Sequence, residues 1–182
     1  MDNINWTKDA SLKSANISER GKSVLTSTDS LTSLLEDLLS CRLSAEIVSS
    51  TEATAPDSFS MPKNSHSLRR IIWLKNSNEK LVYADSIIAS TDKSVLDTIS
   101  TSTEPIGRLL NSMGVGFSKS SISISLVNAG QSAQTDETLK DLFSASQYLF
   151  KKTYTLDNSL DSSYTIKALI TEVFHPSLML LK

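Results

Sequence analysis

Two charged residues of this chain stand in rows that are otherwise apolar. In SLRRIIWLK, strand alternation puts Leu68, Arg70, Ile72 and Leu74 on one face. In IKALITEVF, Ile166, Ala168, Ile170, Glu172 and Phe174 share one face, while Lys167, Leu169, Thr171 and Val173 share the other. An ionised side chain in an apolar row is costly unless it is paired or solvated. Two arrangements meet that condition. In the first, Arg70 and Glu172 form a plain salt bridge, or strand twist carries one of them to an edge. In the second, an anion-binding arginine lies beside a carboxylate with a tuned pKa. Parity alone leaves both open.

Other familiar chemistries lack their residues. Among five glycines there is neither a P-loop nor a dinucleotide-binding pattern. His66, His175 and Cys41 are the only imidazoles and thiol, and they have no neighbours at zinc-ligand spacing. His175, just before Pro176, reads as a strand-end surface residue. Serine is so abundant that none stands out as a nucleophile. With one cysteine there is no internal disulfide, which fits a reducing compartment. The 18 basic residues against 20 acidic ones provide no cationic field for nucleic acid. No apolar run approaches the ~20 residues of a membrane span. The first residues, MDNINWTKDASLKS, lack the apolar core of a secretory signal. These features predict a cytoplasmic protein, or a plastid stromal one if it is organelle-encoded.

The elements that would position Arg70 and Glu172 can be read from the same patterns. Residues 1–22 are polar and are expected to form a flexible arm, with Trp6 able to dock on a domain spanning 23–182. In DSLTSLLEDLLSCR, leucines 31, 34, 35, 38 and 39 recur at helical spacing behind Asp29 or Ser30 as N-cap. LSAEIVS predicts a strand. SSTEATAPDSFSMPKNSHS predicts a loop, either a lid or a mere excursion. Two β-rich runs flanking NSNE predict a hairpin. TDKSVLDTIS and EPIGRLLNSMG predict two helices, the second with Pro105 at its first position and Gly114 as its stop. SSISISLVN alternates as a half-buried strand, TDETLKDLFSASQ predicts a short helix, and QYLFKKTYTL with YTIKALITEVF a second hairpin. Strands joined mainly by hairpins make an antiparallel sheet covered by helices, an α+β fold.

Four of these blocks, in order, resemble the chorismate pyruvate-lyase family, including its cyanobacterial and plastid branch. TDSLTSLLEDLL resembles the family's first helix, RIIWLKNSNEKLVYADSII its central hairpin, EPIGRLL its P-L-G-R element and ALITEVFHP its terminal strand. The resemblance implies a single antiparallel sheet of about six strands, with helices and flaps enclosing a buried ligand pocket. It implies cleavage of chorismate to 4-hydroxybenzoate, a quinone precursor for ubiquinone or plastoquinone, and pyruvate, without metal or cofactor, by a monomer. Carried over residue by residue, Arg70 holds the ring carboxylate, with Arg69 the alternative if the register slips. Glu172 faces the ring oxygen, and Leu31 and Ile106 take the flap positions where backbone meets ligand. The sequence departs from the pattern at four places. Leu31 and Ile106 replace methionine and leucine, Ala84 stands where glycine is common, and Phe150-Lys151-Lys152 replaces W-G-R, leaving Lys152 as the surviving basic contact. The rival expectation is a non-catalytic sensor or carrier of small aromatic acids built on the same fold.

Overall fold

A computed structural model of the chain describes residues 5–6, 17–128, 139, 142, 146, 148–158 and 163–180. The strands are β1 (Asn5–Trp6), β2 (Ser44–Glu52), β3 (His66–Lys75), β4 (Lys80–Ser90), β5 (Phe117–Asn128), β6 (Tyr148–Asn158) and β7 (Ile166–Phe174). The helices are α1 (Glu19–Thr26), α2 (Leu31–Leu39), α3 (Lys93–Thr101) and α4 (Ile106–Ser112). The strands form one sheet in the order β1-β5-β6-β7-β4-β3-β2. Its six long strands pair antiparallel, and the two residues of β1 add a parallel edge beside Ser123 and Ile124. The fold is α+β.

Hairpin β3–β4 turns where expected. The Asn76 side chain accepts hydrogen bonds from the amides of Asn78 and Glu79, each at 2.8 Å, a local bond that substitutes for the ladder. Ser30 caps α2 by accepting from the Ser33 amide at 3.3 Å, and Asp92 caps α3 by accepting from Ser94 at 2.8 Å. Pro105 occupies the capping position of α4, one residue before its expected place, and Gly114 follows that helix at φ 71°.

Two elements differ from the sequence reading. The polar stretch ending at residue 22 already contains most of the first turns of α1, and Gly21, Val24 and Leu25 are buried. Gly21 permits this contact, because a Cβ there would lie 2.7 Å from the Met179 carbonyl oxygen. The predicted loop from 49 to 67 is shorter. Strand β2 runs to Glu52 and β3 starts at His66, with a single 3₁₀ turn, Asp57–Phe59, between them. The helix expected within 135–147 lies almost wholly outside the described residues.

Apolar clusters pack on both faces of the sheet. Leu35, Leu74, Phe174 and Leu178 pack with α1 and α2 at one end of the inner face, and Ile88, Leu96, Ile99 and Leu110 pack with α3 and α4 at the other. Trp73, Tyr83 and Val173 pack with Leu139 and Leu142 on the opposite face, Trp73 meeting Tyr83 edge-on at 5.3 Å.

Candidate active site

Cross-strand register brings distant residues into two neighbouring rows of the inner face. Arg70 pairs with Ser86, Ser86 with Ile170, and Ile170 with Tyr154. One step along, Ile72 pairs with Ala84, Ala84 with Glu172, and Glu172 with Lys152. Arg70, Ser86, Lys152 and Glu172 are all buried. Arg69 points the other way, donating to Asp85 through Nε at 2.9 Å and Nη2 at 2.6 Å, so the single-residue slip does not occur.

Between the two connections α1–α2 and α3–α4 lies a cavity of about 60 Å³. Arg70, Ala84, Ser86, Tyr154 and Glu172 line it from the sheet, Leu31 and Thr32 from α2, Ile106 and Gly107 from α4, and Phe117 and Lys119 from β5. All four residues expected at the site therefore meet in one place. As it stands, the cavity is well below the ~150 Å³ that holds a benzene ring.

Arg70 and Glu172 are not joined by an ion pair among the described residues. Arg70 Nη2 instead donates to the carbonyls of Ser102 at 2.5 Å and Glu104 at 3.3 Å, and its Nε has no partner. Glu172 Oε1 accepts from the Tyr154 hydroxyl at 2.8 Å, and its Oε2 is buried without a partner. Lys152 donates to the Ser27 carbonyl at 2.6 Å, and Lys119 donates to the Asp29 carbonyl. Their ammonium groups lie 5.7 Å and 4.8 Å from the centre of the Tyr154 ring, within cation–π range. Each of these three cations thus holds a main-chain carbonyl in a connection leading into α2 or α4.

Burial dominates the electrostatics. It pushes the Glu172 carboxyl above the ordinary value, against the opposing pull of Lys152, Lys119 and the Tyr154 hydroxyl. Burial takes Lys152 down to about 8, with Glu172 opposing and Lys119 reinforcing. Lys119 is lowered for the same reason, opposed by Glu172 and Asp29. Arg70 falls to about 10, still charged at neutral pH. Tyr154 is raised well above its usual range by burial and by Glu172, so it stays a neutral donor. Such a site can hold a carboxylate on Arg70 and present to the middle of the ligand a carboxyl whose protonated form burial favours. No group of three or more His, Cys, Asp or Glu side chains that could hold a metal occurs among the described residues.

Sequence reading missed Tyr154 and Lys119. Alternation within β6 puts Tyr154 in the row of Phe150, Lys152 and Leu156, a signal that was available. Lys119 had no such signal. Simple alternation sets it opposite to Ile122 and Ile124, but a bulge at Ser121, with φ 54°, shifts the register and turns Lys119 inward.

A family model, "Chorismate pyruvate-lyase Rv2949c-like", matches residues 25–182. The chain belongs to this Rv2949c-like family. No curated protein matches it in sequence. Among solved structures, PhnF from Mycobacterium smegmatis superposes with a TM-score of 0.61 at 12% identity, covering 85% of this chain and 67% of that one. The effector domain of PhnF gives 0.53 at 12% identity over 81% of this chain and 89% of that one. The ligand-binding domain of a putative GntR-family transcriptional regulator from Bordetella bronchiseptica gives 0.50 at 13% identity, covering 73% and 82%. At these identities the likeness is one of fold.

Proposed function

We propose that this protein is a chorismate lyase, releasing pyruvate from chorismate and leaving 4-hydroxybenzoate. One observation carries the reading: Arg70 and Glu172 enter the same cavity without neutralising each other. Arg70 offers a planar fork for the ring carboxylate, with Nε already free. Glu172, whose protonated form burial favours, gives its proton to the ether oxygen as the ring carbon–oxygen bond breaks. The adjacent ring carbon, which bears the hydroxyl, loses its proton to the carboxylate so formed. Its C–H electron pair completes the aromatic ring, and Glu172 returns to its starting state. Enolpyruvate then tautomerises to pyruvate. Aromatisation supplies the driving force, so the protein contributes orientation, one proton relay and exclusion of water. The step as written uses no metal or cofactor.

The test is incubation of purified protein with chorismate, following 4-hydroxybenzoate by chromatography. Wild type forms it, and Arg70→Ala and Glu172→Gln each lose at least about a hundredfold in kcat/KM, as expected for an anchoring charge and a general acid. A second reading is favoured by the small volume of the cavity and by the resemblance of the fold to regulator effector domains. Wild type that binds 4-hydroxybenzoate through Arg70 but never forms it from chorismate is a sensor or carrier.

A further inference from the structure

Arg70 accounts for one carboxylate of a cavity that receives side chains from both ends of the sheet. It lies on β3, and Lys119 lies on β5, four strands away in the order β3-β4-β7-β6-β5. Lys119 pairs with Leu156, and that row runs on through Ala168 and Ile88 to Leu68, two residues from Arg70 on the same strand. Four spacings of about 4.8 Å set the two backbones roughly 19 Å apart along the sheet. Both long side chains nevertheless line the one cavity. Between them, Tyr154 lies under the Lys119 ammonium and donates to Glu172.

We infer that Lys119 is the anchor for a second carboxylate, so that the site selects dicarboxylates over monocarboxylates. This rests on the proposed lyase reading. With the ether oxygen at Glu172, the carboxylate of the departing enolpyruvyl group sits two carbons beyond it, on the Lys119 side of Tyr154. Lys119 now spends its charge on the Asp29 carbonyl, a neutral acceptor in the connection leading to α2. A carboxylate is the stronger acceptor and displaces it, loosening the connection that must yield for the ligand to enter. Lys152 is completely buried against the Ser27 carbonyl and does not line the cavity, so it positions rather than binds. Cleavage removes the second carboxylate from the ring, so 4-hydroxybenzoate keeps only the Arg70 anchor and leaves more readily than the substrate.

The experiment compares two unreactive probes by calorimetric titration, 4-hydroxybenzoate and 3-(carboxymethoxy)-4-hydroxybenzoate. Wild type is expected to bind the dicarboxylate at least about tenfold more tightly, the scale of one charge-assisted hydrogen bond. Lys119→Met abolishes that preference while leaving 4-hydroxybenzoate affinity within about twofold, and Lys119→Arg keeps the preference. Preference retained in Lys119→Met, or both affinities lost in parallel, overturns the assignment. Turnover is not read here, so an inactive protein with the predicted preference refutes only the lyase reading. Failure of wild type to bind either probe refutes both.

Discussion

Glu172 and Lys152 face each other across β6 and β7, and each displaces the other's titration. Burial raises Glu172, and the Lys152 charge holds that rise in check. Removing the charge with Lys152→Met therefore raises Glu172 further. Since the proposed step needs Glu172 protonated, activity falls as pH rises through its pKa. The variant's alkaline limb in kcat/KM is expected to move to higher pH than in wild type. A profile over pH 5 to 10 checks this, with Glu172→Gln identifying the limb by its disappearance. A limb that stays put or moves down removes Glu172 from the acid role.

At the scale of elements, the flaps are fastened to each other as well as to the sheet. Arg108 on α4 donates to Glu36 on α2, to Glu104 at 2.6 Å and to the Leu43 carbonyl at 3.2 Å. Glu36 accepts in turn from the Leu43 amide at 2.7 Å. The two helices that bear Leu31 and Ile106 are thus joined behind the cavity by a partly buried network rather than by isolated surface pairs. Replacing Arg108 with Met is expected to cost about 1–2 kcal/mol, a figure reduced for the partial exposure of its partners. Denaturant midpoints measure that cost. Amide exchange is expected to quicken in Leu31–Leu39 and Ile106–Ser112 more than in β4 and β7, because the opening is local. Uniform quickening throughout the sheet makes Arg108 a global rather than a flap-specific support.

Across the whole molecule, a buried lysine links folding to pH. Lys152 titrates near 8 when folded against an ordinary value of 10.5, so the folded state binds fewer protons between the two. For this lowered pKa, the linked stability is fully present above 10.5 and is lost as pH falls through about 8. Wild type is thus expected to gain stability relative to Lys152→Met between pH 8 and 10.5, by up to roughly 3 kcal/mol. Urea unfolding of both proteins at the two pH values checks the sign. A constant difference shows that Lys152 remains fully charged in the fold. The cost of carrying this cation at neutral pH is consistent with a functional reason for it, since an apolar residue would pack there without penalty.

Much of this molecule follows from local pattern. Period-two alternation fixed which faces Arg70 and Glu172 occupy, because successive side chains of a strand must point to opposite sides. Leucine spacing and the serine, aspartate and asparagine caps located α2, α3 and the β3–β4 turn, since those bonds form within a few residues. Helix α1 escaped notice, because its burial depends on Gly21 meeting Met179, a contact between opposite ends of the chain. Whether Arg70 and Glu172 form a salt bridge was open until the register set Arg70 beside Ser86 and Glu172 beside Ala84 and Lys152. Lys119 shows the limit most sharply. Alternation points it outward, and only the bulge at Ser121, a cooperative adjustment between two paired strands, turns it toward Tyr154 and the cavity. Sequence alone determined the long strands, the faces of β3 and β7 and the two charges embedded in them. The tertiary structure decided which partners those charges have, because register and bulges are properties of strand pairs rather than of any one segment.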